Sequence, residues 1–192
     1  MSIALRRVWT QEEFFAWAGA REGRHEFDGF QPVAMTSENA AHSLVIRNLS
    51  FALHTRLRGK PCDSLGPDAG VETANKAIRY PDALVTCSTF NLTDRTIPGA
   101  IAVFEVLSQS SGRTDRIVKV REYAAVPSIR RYVMLESSSA GLMVLERQQA
   151  EDPWTTTVLT NGDVLAMPEL GIEIPVTEIY EGISFPDQED AL

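Results

Sequence analysis

The sequence predicts an α/β domain in which a mixed central sheet is flanked by helices and extended by a C-terminal β-meander. Three observations carry this. Up to residue 136 the patterns run in the order helix, hairpin, helix, three strands, helix, strand. The run AIAVFEVL at about 100–107 is almost continuously apolar, as a central strand buried on both faces is. Beyond residue 140 short β-rich runs follow, GLMVLERQ and WTTTVLT, with a tight-turn signal at Asn161-Gly162.

Each element has its own warrant. Thr10 followed by Glu13 is a capping box, and Phe14, Phe15, Trp17 and Ala18 then form a short amphipathic helix up to Gly19. In RHEFDGFQPVAM the pair Asp28-Gly29 predicts a two-residue hairpin turn between extended segments. From about Glu38 to Arg58, Leu44, Val45, Leu49, Ala52, Leu53 and Leu57 recur at helical spacing, and Gly59 and Pro61 punctuate the end. Extended runs are expected at about 62–73, 77–87 and 100–107, a second helix at about 113–125, and a buried strand in RRYVMLE. IEIPVTEIY closes the domain.

With 192 residues and 44% hydrophobic content, the chain supports one well-buried core. One domain is expected over 1–183, with 184–192, including PDQEDAL, as a disordered acidic tail. No run approaches the ~18 apolar residues of a membrane span. The start MSIALRRVWT lacks the apolar stretch and cleavage site of a secretory signal, so a soluble, cytoplasmic protein with no membrane partner is expected. Cys62 and Cys87 make no C-x-x-C pair and read as reduced, packed thiols. The terminal meander offers extra strands through which a homodimer could form.

The net charge of -8 argues against a generic nucleic-acid binder. The charge is uneven, however. Between Ser43 and Lys60 the charged residues are Arg47, Arg56, Arg58 and Lys60, with no acid. Between Ser111 and Arg131, Arg113, Arg116, Lys119, Arg121, Arg130 and Arg131 stand against Asp115 and Glu122. Both segments could face a polyanion or be solvated helix faces.

Asp82 and Glu105 each lie inside an otherwise apolar run, and carboxylates are rarely buried without a partner. On neighbouring strands, two carboxylates and a carbonyl would make an oxygen-rich site suited to Mg²⁺, with Mn²⁺ able to substitute. Asp115, Lys119 and Tyr123, spaced i, i+4, i+8, share a helix face, and Asp115 could pair with Lys119. A lysine at such a site can orient water and stabilise developing negative charge. An ordinary salt-bridged surface helix is the alternative for this face.

The stretches RHEFDGFQPVAM, HSLVIRNL, RYPDALV, FEVLSQSS, DRIVKVREY, VPSIRRYVML and LGIEIPVTEIYEGI, in this order, resemble the PD-(D/E)XK nuclease superfamily, which has the restriction-endonuclease-like fold. They are most similar to its Uma-two branch of endonucleases. The resemblance spans about Thr10 to Ile183. It implies a metal-dependent endonuclease acting on DNA, with Asp82 and Glu105 as metal ligands, Lys119 as the catalytic lysine and Glu26 as an accessory acid. The superfamily's usual lysine, two residues after the acid, is replaced by Leu107, and the branch supplies the lysine from the following helix. Gln109 stands where a proline is common, and HEFDGF is one residue tighter than the usual pattern.

The other polar candidates have plainer readings. Asp68 is expected to be an exposed strand-end acid, His42 to serve in capping or packing, His25 and His54 to be structural, and Ser108, Ser110 and Ser111 to serve in a loop or helix cap. Two rival functions remain at this level: an inactive nuclease-fold protein that binds nucleic acid or protein, and a hydrolase of small phosphate esters.

Overall fold

The computed structural model describes residues 7–36, 38–73, 76–107 and 115–185. Its centre is a six-stranded sheet in the order β10-β9-β8-β7-β6-β3, built from β3 (Asp63–Leu65), β6 (Ala83–Thr86), β7 (Ala100–Leu107), β8 (Arg131–Glu136), β9 (Gly141–Glu146) and β10 (Thr155–Thr160). Only β7 and β8 pair in parallel, so the sheet is mixed, and the expected meander continues it through β9 and β10. A second sheet, β2-β1-β5-β4, joins the hairpin β1 (His25–Phe27) and β2 (Pro32–Ala34) to β4 (Val71–Glu72) and β5 (Ile78–Arg79). The strands β11 (Val164–Met167) and β12 (Ile172–Pro175) form a separate antiparallel pair.

The first helix, α1 (Gln11–Gly19), starts at the expected capping box, with the Thr10 side chain accepting from the Glu13 amide. The long helix α2 (Ala40–Leu57) is capped by Asn39, whose side chain accepts from the His42 amide, and Gly59 just past its end has the positive φ of 78° that ends a helix cheaply. α2 packs Val45, Leu49 and Leu53 against Ala83, Val85, Phe104, Val133 and Leu135. The opposite sheet face buries Leu84, Val103, Leu107, Tyr132 and Met134 under Tyr123. The alternation along β7, Phe104 to one side and Val103 and Leu107 to the other, puts Glu105 on the Tyr123 side. Further helical segments follow among the described residues. A π-helical turn, Asp115–Lys119, runs into α3 (Val120–Ala124), and α4 (Val176–Ile179) lies against α2.

Several expectations need correction. The hairpin turn takes four residues, since Phe27 pairs with Pro32, because Asp28 Oδ1 accepts from both the Phe30 and Gln31 amides and so stabilises a wider loop. The runs at 62–73 and 77–87 each break into two strands in different sheets, at Gly66-Pro67 and Pro81-Asp82. Cys62 and Cys87 form a disulfide. The pairing of Asp63 with Thr86 on adjacent antiparallel strands sets the two cysteines opposite one another, a proximity that their separation of 25 residues hides in the sequence. The described part of the expected 184–192 tail is Ser184 and Phe185, and Phe185 is buried against Tyr180. The rest of the tail and the serines at 108, 110 and 111 lie outside the described residues.

Candidate active site

Asp82 sits in the bend just before β6 rather than within a strand. Because Ala83 pairs with Phe104, the antiparallel register sets Asp82 across from Glu105 on β7. Asp82 Oδ2 accepts from the Val106 amide at 2.7 Å, so its carboxylate replaces the strand carbonyl that the bend removes. Both acids are buried, at 8% and 5% exposed.

Lys119 ends the π-helical turn and is itself buried. Its ammonium lies 2.8 Å from Glu105 Oε1 and 3.3 Å from Glu26 Oε1, bridging two carboxylates from different sheets. The Tyr123 hydroxyl, one helical turn on, donates to the same Glu105 oxygen at 3.0 Å. Burial, then the nearby Glu105 charge, pushes the Tyr123 phenol well above its ordinary range, so it stays protonated and donates. Lys119 and Tyr123 therefore use the shared face expected of them. The side chain of Asp115, their expected third member, lies outside the described residues.

Glu26 on β1 is tied into this centre rather than adjacent to it. It accepts from Arg79 at 2.9 Å and from the Tyr80 amide at 3.2 Å, besides facing Lys119. Arg79 also grips Glu122 of α3 through Nε and Nη2 at 2.6 and 2.7 Å. Burial alone would lower the Arg79 pKa, but the bonds to Glu122 and Glu26 outweigh it and the guanidinium stays charged. Sequence reasoning missed Arg79. Its signal was an arginine inside the extended run AIRYPDALVTC, as unusual there as Asp82.

His42 adds a further group. Asn39 supplies the cap of α2, leaving the His42 ring to approach Asp82, with Nε2 3.4 Å from Oδ2. Burial lowers its pKa, but the Asp82 carboxylate and the Glu38 charge outweigh this, and the net shift is upward. The pair opens on a groove of about 450 Å³ whose walls include Arg24, Thr36, Glu38 and Ser43. Asp68 is exposed as expected, His54, expected to be structural, is exposed as well, and His25 stacks edge-on with Trp17. Among the described residues no three His, Cys, Asp or Glu side chains form a ready metal cage. The donor set nevertheless suits a hard divalent cation, which takes one or two protein carboxylates and keeps several waters. Asp82 and Glu105 are the residues that would hold it.

The basic segments are largely consumed internally. Arg56 pairs with Glu178, Lys60 donates to the Leu170 and Gly171 carbonyls, Arg116 pairs with Glu136, and Arg131 with Glu146 and Glu169. Arg47, Arg58 and Arg121 remain exposed, and Arg113 lies outside the described residues.

Comparison with known proteins agrees with this architecture. No helix of the described residues is long and apolar enough to cross a membrane. The chain is 28% identical over 178 residues to an uncharacterized protein, slr1290, of Synechocystis sp., covering 92% of this chain and 93% of the relative. Its fold matches the crystal structure of a putative nuclease belonging to DUF820 from Anabaena variabilis, with a TM-score of 0.64 at 9% identity, over 90% of this chain and 97% of that one. The model of the Uma2 family, described as putative restriction endonuclease, matches residues 11–177, and the chain belongs to that family.

Proposed function

We propose that the protein is a divalent-metal-dependent endonuclease that hydrolyses phosphodiester bonds in DNA. The observation that carries this is the buried convergence of Asp82, Glu105 and Glu26 with one lysine, Lys119, at the end of the central sheet. Asp82 and Glu105 would hold Mg²⁺ or Mn²⁺, which when bound supplies a Lewis acid and a more acidic water. Lys119 then orients the attacking water and stabilises negative charge as it develops on the phosphate. Tyr123 fixes the Glu105 carboxylate, and Arg79 holds Glu26 and anchors α3, the helix that follows Lys119.

The rival is a nuclease-fold binding module without catalysis. The net charge of -8 and the internal use of Arg56, Lys60 and Arg131 favour it. Single-turnover assays on supercoiled plasmid, linear duplex and single-stranded DNA separate the readings, with Mg²⁺ or Mn²⁺ against chelator and with Asp82→Asn as control. Metal-dependent nicking lost in the variant supports the endonuclease. Binding without cleavage under every condition supports the module, and turnover of a small phosphate ester, assayed alongside, with all three DNAs left intact supports a hydrolase of small phosphate esters. The proposed homodimer would form through the edge strand β10, whose Thr155–Thr160 carry no charge or proline to blunt it. Val158→Lys would then yield a monomer in sedimentation.

A further inference from the structure

The Asp82–His42 contact is poorly explained as a simple ion pair. A charge-assisted N–H···O bond usually measures about 2.7–2.9 Å, whereas Nε2 and Oδ2 stand 3.4 Å apart although both groups are buried. That separation also fits two neighbouring ligands of one ion: metal–nitrogen and metal–oxygen bonds of about 2.1 Å set cis ligands roughly 3.0–3.4 Å apart, from octahedral to tetrahedral angles. The ring is also held for such a role. Its backbone is fixed by the Asn39 cap, and its side chain closes the wall of the groove at Asp82.

We propose that His42 is a nitrogen ligand beside Asp82, and that the centre consequently takes a first-row transition ion such as Mn²⁺ in preference to Mg²⁺. Imidazole is a ligand for first-row transition ions such as Zn²⁺, Fe²⁺ and Ni²⁺; Mn²⁺ shares the oxygen donors of Mg²⁺ but stands in that transition series and accepts a nitrogen donor more readily than Mg²⁺ does. Asp82 and His42 come from different elements, the bend before β6 and the first turn of α2, so the ion would also tie α2 to the sheet. This inference rests on the metal-centre reading above and adds the identity of the ion.

The test needs no nuclease activity. Mn²⁺ and Mg²⁺ are titrated calorimetrically into the wild-type protein, His42→Ala and Asp82→Asn, and Mn²⁺-loaded protein is examined by pulsed electron paramagnetic resonance with natural-abundance and ¹⁵N-histidine labelling. Wild-type protein is expected to bind Mn²⁺ at least about tenfold more tightly than Mg²⁺. Nitrogen modulation should be present, should change on ¹⁵N labelling and should vanish in His42→Ala together with the preference for Mn²⁺. Binding that needs Asp82 but shows no histidine nitrogen on Mn²⁺ overturns the role of His42 and leaves the metal centre standing. Binding indifferent to Asp82→Asn overturns the metal-centre reading itself. If His42→Ala fails to fold, the labelled wild-type spectrum decides alone.

Discussion

Replacing Arg79 by Met should destabilise the protein by about 3 kcal/mol, the lower end of the cost of breaking a buried ion pair from one side. The structure sets that position in the range. Arg79 is 4% exposed and makes three side-chain bonds, two to Glu122 and one to Glu26. The Glu122 side chain is 16% exposed and can turn to water once released, so its loss is partly recovered. Glu26 is enclosed but keeps Lys119 and the Tyr80 amide, so its charge is under-compensated rather than abandoned. The melting temperature should fall by roughly 6–12 °C for a chain of this size. Adding Glu26→Gln to Arg79→Met removes the stranded charge and should restore part of the loss. Urea unfolding of the wild-type, single-variant and double-variant proteins measures both numbers. A loss below about 1 kcal/mol would mean that this network behaves like a solvated surface pair and would refute the reasoning.

Asp82→Asn should abolish Mn²⁺ binding with little loss of stability, because Asn keeps an oxygen for the Val106 amide; calorimetry with unchanged Mn²⁺ affinity would contradict it. Lys119→Ala should slow single-turnover cleavage by roughly 10²–10³, the scale for one transition-state donor, without lowering metal affinity, since it removes a cation from Glu105; a fully active variant would return Lys119 to a purely structural role. The Glu178 carboxyl is held below its ordinary 4.5 by its bond to Arg56, so the pair stabilises fully above that value and is lost as pH falls through the depressed one; Glu178→Gln should flatten the stability profile in that acid window. Exchanging both Cys62 and Cys87 for Ser should cost about 3.5 kcal/mol, the chain-entropy value for a loop of this length, and an unchanged denaturation midpoint would show that the bridge adds nothing.

Where local chemistry decides, the residues announced the fold. Thr10 and Glu13 mark the first helix, the apolar spacing from Leu44 to Leu57 marks α2, and the unbroken AIAVFEVL marks the strand at the centre of the sheet. The candidate site stood out for a related reason, since acids such as Asp82 and Glu105 contradict their apolar neighbours. Partnerships between distant segments were not legible. Arg79 meets Glu122 across 43 positions and Cys62 meets Cys87 only through strand register, and neither leaves a local period or spacing to read. His42 was read as a cap or a packing group because it begins a helix. Asn39 had already taken the cap, and only the return of Asp82 to the same end of the sheet gives the ring its neighbour. The hairpin erred through Asp28, whose carboxylate holds two amides that a tighter turn would leave free.

The bond from the Val106 amide to Asp82 makes this acid a structural part as well as a chemical one. Whether or not a relative has the proposed cleavage activity, it gains from an oxygen at that position, because a buried amide would otherwise be left without an acceptor. Asp or Asn there in a relative is therefore poor testimony of catalysis. Lys119 is a better witness. Its ammonium pairs with both Glu26 and Glu105, so loss of the proposed chemistry should show first as joint drift of this trio towards neutral side chains, with the shape of the fold unchanged.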